Sequence, residues 1–216
     1  MRRDFVAQML IEMERDSRII FLTADLGFNA LEGIRDRFPK RFVNVGIAEQ
    51  HLIGMAAGLA LEGKKVVAYS IASFSSLRPY EQIRTDVCYQ NLDVKIIGAG
   101  GGVNYAAHGI THHTVEDLAI MNVLPHMKVL VPAYSWEATE ATKALMRDTG
   151  PAYMRLGVTP GVHFEKPTFD FELGKGFVVR DGNDVVIFST GNIMDTVMQA
   201  AEILEKKLSL RVGVVS

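Results

Sequence analysis

The stretch Phe42-Val43-Asn44-Val45-Gly46-Ile47-Ala48-Glu49-Gln50-His51, continuing through an Ala- and Gly-rich segment to Leu61 and then Lys64-Lys65-Val66-Val67-Ala68-Tyr69-Ser70, decides the fold. Phe42 to Val45 is a short apolar run of strand length. Ile47 to Leu61 reads as a helix closed by Gly63. Lys64 to Ser70 reads as a second strand, with the apolar stretch Val66-Val67-Ala68-Tyr69 inside it, too short for a helix. Two such strands joined by a helix are a βαβ unit, which requires the strands to be parallel.

The same alternation extends outward from that unit. Upstream, Ile19-Ile20-Phe21-Leu22 has the continuous apolar character of a strand buried on both faces. A helix follows from about Ala30 to Arg37, ended by Pro39. Before them, Phe5, Val6, Met9, Leu10 and Met13 recur at helical spacing. Downstream come a helix from Pro79 to Tyr89, a strand from Val94 to Ala99 and a glycine-rich loop. A short helix from Val115 to Met121 and a strand from Lys128 to Val131 come next. Ser135 is placed to cap a helix running to Arg147, and Ala152 to Leu156 is the last strand of the block. The expected class is α/β, a mainly parallel sheet with helices on both faces. Ligands bind such sheets beyond the carboxyl ends of the strands, so the loops after Leu22, Val45, Ser70, Ala99 and Val131 are the ones to watch.

The pattern lapses between residues 158 and 175, where Pro160, Gly161 and Pro167 punctuate a stretch without helical period, as in a linker. It resumes with a strand from Gly176 to Arg180, an Asp181-Gly182 turn read as a hairpin, a strand from Val185 to Ser189, a helix from Ile193 to Lys207 and a strand from Arg211 to Val215. The expected organisation is therefore one domain over 1–157, a linker over 158–175 and the beginning of a second α/β domain over 176–216. A single βαβ unit cannot bury its own faces, so this second domain is expected to continue past Ser216 or to pack on something else.

Apolar residues make up 48% of the 216, and the formal charge is −2 with both signs interspersed, so no basic patch favours nucleic acid. Cys88 is the single cysteine, which excludes an internal disulfide and a thiolate zinc site and suits a small core residue. No segment has the length of a membrane span and no signal-peptide core opens the chain; a cytoplasmic location is the expectation.

Five segments carry a resemblance. They are Thr23-Ala24-Asp25-Leu26-Gly27 after the first strand; Asn44-Val45-Gly46-Ile47-Ala48-Glu49-Gln50-His51 with Met55 to Ala60; Ser73-Phe74 with Arg78 and Tyr80; His108-Gly109-Ile110-Thr111-His112; and Gly150-Pro151-Ala152-Tyr153-Met154-Arg155. In order and spacing they resemble the central, pyrimidine-binding domain of transketolases, and the second is also similar to deoxyxylulose-phosphate synthases. The resemblance implies thiamine diphosphate as cofactor, bound between subunits, with magnesium and the diphosphate held by the other domain. It implies that Glu49 hydrogen-bonds a ring nitrogen of the aminopyrimidine and favours the tautomer that removes the cofactor's thiazolium proton. Phe74 corresponds to the ring that stacks on the pyrimidine, Tyr80 to a second ring near it, and Asp25 to a cofactor-side aspartate. His112 corresponds to a histidine at the substrate's hydroxyl or carbonyl oxygen. Arg155 and Arg78 correspond to phosphate-side cations, and Asn29 stands where a phosphate-contacting serine is common.

Each of these residues also has an ordinary structural reading. An acid in a helix's first turn suits the macrodipole, a phenylalanine suits a core, an aspartate suits an Asx turn and an arginine in an apolar strand needs only a local carboxylate. Tyr80 equally suits an anchor for its helix. A metal reading of His108, His112 and His113 lacks a completing ligand at suitable spacing.

Two departures stand out. The family usually has an acidic residue before the glycine of the His-containing loop, whereas this chain has His108, a group able to donate. A donor or acceptor other than the standard pentose phosphates is expected. The family's diphosphate-binding segment is also absent, as in split transketolases, so the resemblance implies a large partner subunit and a heterotetramer acting on phosphorylated sugars. The alternatives are a deoxyxylulose-phosphate-synthase fragment, the beta subunit of a 2-oxoacid dehydrogenase, or a non-catalytic partner on the same fold.

Overall fold

In the computed structural model, which describes residues 1–157 and 171–216, all seven residues of the strand Lys65–Ile71 (β3) are buried. β3 lies inside a six-stranded parallel sheet. The other strands are Ile19–Thr23 (β1), Phe42–Asn44 (β2), Val94–Ala99 (β4), Lys128–Leu130 (β5) and Ala152–Leu156 (β6), in the order β2-β1-β3-β4-β6-β5. Alternate residues of these strands face opposite ways, so their apolar runs feed two cores. Phe21, Tyr69, Ile97 and Met154 meet the helices Arg2–Arg15 (α1), Glu32–Arg37 (α2) and Ser135–Arg147 (α7) on one face. Leu22, Ala68, Ile96 and Tyr153 meet Glu49–Leu61 (α3), the segment after β3, and Asp117–Asn122 (α6) on the other. Cys88 lies in this second core, as its residue type suggested.

β3 is followed by two short helices, Ala72–Ser76 (α4) and Tyr80–Gln82 (α5), and the second runs on as a π-helical turn over Ile83–Cys88. The expected helix over 79–89 is thus present but widened to i→i+5 pairing, with Tyr89 N–H donating to Arg84 O and Leu92 N–H to Val87 O. Such turns are concentrated near functional sites.

Two expectations need correction. Ser135 is the first residue of α7 and does not cap it; Tyr134 is the cap residue, and the side chain that serves this end is Glu137, whose Oε2 accepts from Ala133 N–H at 2.9 Å. The Asp181-Gly182 turn is also not a hairpin. Val178–Arg180 (β7) pairs antiparallel with Val212–Val215 (β9), and β9 pairs in parallel with Val185–Phe188 (β8), giving the order β7-β9-β8. The chain crosses over β9 instead of turning back. Gly182 and Gly213 permit that crossing: a Cβ on Gly182 would stand 2.3 Å from Gly213 N. The helix Met194–Leu208 (α8) completes the β8-α8-β9 unit.

Residues 158–170 of the expected linker lie outside the described residues. Just after them, Phe171 and Leu173 are half-buried against the core beneath α1 and α7. A third, smaller core joins the two sheets. It holds Val179, Met194, Ala201, Val212 and Val214 together with Ala133 and Tyr134 from the start of α7. Among the described residues no helix is long and apolar enough to cross a membrane.

Candidate active site

The strand order reverses at β1, whose neighbours are β2 and β3, so the loops leaving these strands open a crevice at the carboxyl end of the sheet. Asp25, Glu49 and Phe74 come from the segments after β1, β2 and β3, and the histidines come from the loop after β4.

Glu49 is the first residue of α3 and only 4% exposed. A carboxylate there faces the unpaired N–H groups of the helix start. Its two oxygens each lie 3.0 Å from Arg78 Nη1. The same guanidinium lies over the Phe74 ring, with Cζ 4.0 Å from the centroid. Phe74, on α4, also meets the edge of the His112 ring at 5.1 Å. From there the rings continue: His112 to His108 at 5.0 Å, and Tyr105 to His112 and His108 at 5.7 and 5.8 Å. Ser73 ties the two loops together through a hydrogen bond from Oγ to Thr111 O.

The histidines differ in what they can offer. His108 Nδ1 lies 2.9 Å from Tyr105 O, a carbonyl that can only accept, so Nδ1 carries a proton and donates it there. His113 Nε2 likewise donates to Ala106 O, which turns this residue away from the others. His112 Nδ1 shares a hydrogen bond with Thr111 Oγ1.

The loop bearing these residues rests on buried polar groups. Asp117, fully buried on α6, accepts from Tyr153 Oη at 2.7 Å and from Arg155 Nη1 at 2.8 Å. Burial, with the Asp117 carboxylate next in weight, pushes the Tyr153 hydroxyl well above its ordinary range. The Arg155 stem fills the space below Gly101, where an added Cβ would come within 1.9 Å of Arg155 Cδ. Gly100, at φ +71°, leaves similar room for the Tyr105 ring.

The expected residues therefore do not all meet. Glu49, Arg78, Phe74, His112 and His108 form one connected set. Asp25 and Asn29 lie on the β1 loop, both at positive φ. Asp25 is clasped to Asn44 by two hydrogen bonds, Asp25 N–H to Asn44 Oδ1 and Asn44 Nδ2 to Asp25 Oδ1, while Asn29 N–H donates to Glu32 Oε1. Tyr80 is half-buried and donates to Ile120 O at 2.8 Å, which anchors α5 to α6. Arg155 has its local carboxylate in Asp117. Sequence reasoning assigned no role to Asn44, Tyr105 or Asp117. Asn44 stood inside the most specific of the five segments; Tyr105 and Asp117 had no signal beyond lying beside the histidine loop.

A buried carboxylate beside an aromatic face fits one end of an aminopyrimidine, which needs an acceptor or shared proton at a ring nitrogen and a surface to stack on. Among the described residues no group of three His, Cys, Asp or Glu side chains could hold a metal ion.

This fold and site define a parallel α/β domain with a buried carboxylate and an aromatic ring at its strand ends. The chain belongs to the transketolase family: residues 3–159 match its pyrimidine-binding domain. It is 36% identical over 202 residues to the 6-deoxy-6-sulfo-D-fructose transketolase subunit SqwH of Clostridium sp., covering 93% of this chain and 63% of that protein. It is 35% identical over 209 residues to an apulose-4-phosphate transketolase subunit of Phocaeicola vulgatus, covering 95% and 67%. Among solved structures it superposes on a split-gene transketolase, determined as an inactive beta4 tetramer, with TM-score 0.89 and 35% identity over 99% of this chain and 69% of the other. The chain thus spans about two thirds of the length of these relatives.

Proposed function

We propose that this chain is the pyrimidine-binding small subunit of a split transketolase, transferring a two-carbon ketol unit between phosphorylated sugars together with a large subunit. The observation that carries this reading is the buried Glu49 carboxylate bridged by the Arg78 guanidinium to the Phe74 face, with the His112 ring edge-on to Phe74 at 5.1 Å. Thiamine diphosphate, when bound, supplies the nucleophilic carbon that makes and breaks the ketol bond. Glu49 holds or shares the proton at the pyrimidine nitrogen in a site shielded from water. Phe74 orients the ring by stacking. His112 moves a proton at the sugar's hydroxyl or carbonyl oxygen, and Tyr105 and Thr111 fix its position. Asp25 faces the cofactor side through its clasp with Asn44. Arg155 and Asn29 serve the sugar phosphate, and Tyr80 keeps α5 in register beneath the site.

Magnesium and the diphosphate fall to the large subunit, in a heterotetramer of two copies of each chain. The exposed apolar rim supports a partner there: Phe28, Ile47 and Ile110 are 72%, 78% and 86% exposed around the strand ends. Residues 1–157 form the pyrimidine-binding domain and residues 176–216 the first part of the family's C-terminal domain. Two relatives of nearly equal identity carry different sugar names, so overall similarity does not select the sugar. His108, standing where the family usually has an acidic residue, is the residue assigned to that choice. The enzyme works in the cytoplasm.

The test is co-expression with the large subunit, followed by titration of thiamine diphosphate and magnesium into the complex and into each chain alone, and assay with ketose phosphates. Binding and turnover by the complex alone supports the proposal. A complex that assembles but never binds the cofactor makes this chain a non-catalytic partner.

A further inference from the structure

We propose that Arg78 is a place-holder for the aminopyrimidine: a positioning residue that keeps Glu49 and Phe74 aligned while no cofactor is bound and must withdraw when it binds. The inference rests on the reading of Glu49 and Phe74 given above. A planar cation able to stack and to donate is the protein group that best imitates a protonated aminopyrimidine, and Arg78 makes both kinds of contact at once. Its Nη1 lies 3.0 Å from both Glu49 oxygens, and its Cζ lies 4.0 Å above the Phe74 ring. The carboxylate and the ring are the two surfaces assigned to the pyrimidine, so the guanidinium and the cofactor compete for the same space.

The arrangement has a local cause. Glu49 is 4% exposed on its side-chain atoms, and a buried carboxylate without a partner is costly. The Arg78 side chain is 47% exposed, so it can swing outward without disturbing the core. Its backbone stands between α4 and α5, directly before Pro79, in a connection and not inside either helix. The guanidinium therefore satisfies Glu49 at modest cost and can be displaced by a ligand that satisfies it better.

Competition of this kind lowers the apparent affinity for the cofactor by the fraction of molecules in which the site is free. If Arg78 occupies the site about nine-tenths of the time, its removal tightens binding about tenfold. The experiment uses the assembled complex with the large subunit, thiamine diphosphate as titrant at fixed magnesium, and calorimetry as readout. Four forms are compared: wild type, Arg78→Ala, Glu49→Gln and the double variant. Melting temperature and sedimentation check that each complex is intact. The expected result is a several-fold to tenfold lower Kd for Arg78→Ala than for wild type, with that gain reduced in the Glu49→Gln background because the anchoring carboxylate has gone. Arg78→Lys, which keeps the charge but loses the planar fork, is expected to fall between wild type and Arg78→Ala.

An Arg78→Ala complex that binds the cofactor as wild type does, or more weakly, overturns the place-holder role. A gain that persists undiminished without the Glu49 carboxylate overturns it as well. If the intact wild-type complex binds no cofactor, the functional reading itself falls, an outcome distinct from the first two, and this inference falls with it.

Discussion

The two sheets of this chain treat their strands in opposite ways. β3 is buried along all seven residues, with helices on both sides. β8 is also a parallel strand, yet Val185, Val186 and Phe188 are exposed, Phe188 at 79%. Parallel strands are stable when both faces are covered. The first sheet meets that condition from its own sequence. The second borrows cover from Ala133 and Tyr134 of the first domain and leaves its edge strand β8 exposed. The site occupies the complete sheet, where a rigid frame can hold side chains to within fractions of an ångström. The second unit nevertheless touches the frame: Thr190 donates to Val131 O, and Asn192 Nδ2 reaches Asn104 Oδ1 in the loop that carries the histidines.

The comparison breaks most decisively at Glu49. Glu49→Gln in the assembled enzyme is expected to lower kcat by about a hundredfold or more with little change in melting temperature. Turnover that survives the change would move the active end away from this sheet. Next in size, Asp117→Ala leaves Arg155 and the Tyr153 hydroxyl facing an empty buried position. Its expected cost is about 3–5 kcal/mol by denaturant unfolding, and a cost near zero would mean the first domain is not the rigid half.

The junction between the halves should respond to pH through Glu137. Burial pushes its carboxyl from the usual 4.5 up to about 7, against the opposing pull of the Ala133 N–H. Its neighbours across the crevice are Glu172, Lys175 and Ser216. With the folded value raised, its stabilising contribution is complete below about pH 4.5 and disappears as pH rises through 7. The ceiling is about 3 kcal/mol, and Glu137→Gln should flatten this part of a stability–pH curve. A curve that keeps its slope in the variant assigns the effect elsewhere.

The smallest effect is expected on β8. Phe188→Ala should change stability by no more than about 0.5 kcal/mol. A cost of about 3 kcal/mol or more, the range for a buried phenylalanine, would show that the natural assembly covers this face and would erase the contrast between the sheets.

Where local chemistry was decisive, the sequence was legible. Val94–Ala99 and Ala152–Leu156 are mainly apolar runs of strand length between breakers, each carrying one cation, and both strands occupy the expected residues. The αL-tolerant Asp-Gly pair read as a hairpin because two strands flank it, but pairing with β9 overrode the local preference. The π-helical turn after Gln82 was invisible because apolar residues at helical spacing look alike in α and π form. Glu49, Phe74 and His112 were singled out through the segments that contain them, and the structure places them in one connected set. The grip of Arg78 on Glu49 spans 29 residues, and that of Arg155 on Asp117 spans 38; no spacing rule reaches so far.

The sequence by itself determined the kind of most elements, the alternation that makes the sheet parallel, and the residue types able to share a proton or stack at its strand ends. Those are consequences of periodicity and side-chain chemistry, which act over a turn or a strand. The tertiary structure alone decided the order β2-β1-β3-β4-β6-β5, the crossing of β9 and the placing of one arginine between a carboxylate and a ring. Those depend on which distant segments share a core, and that is settled by the packing of the whole chain and not by any window of it.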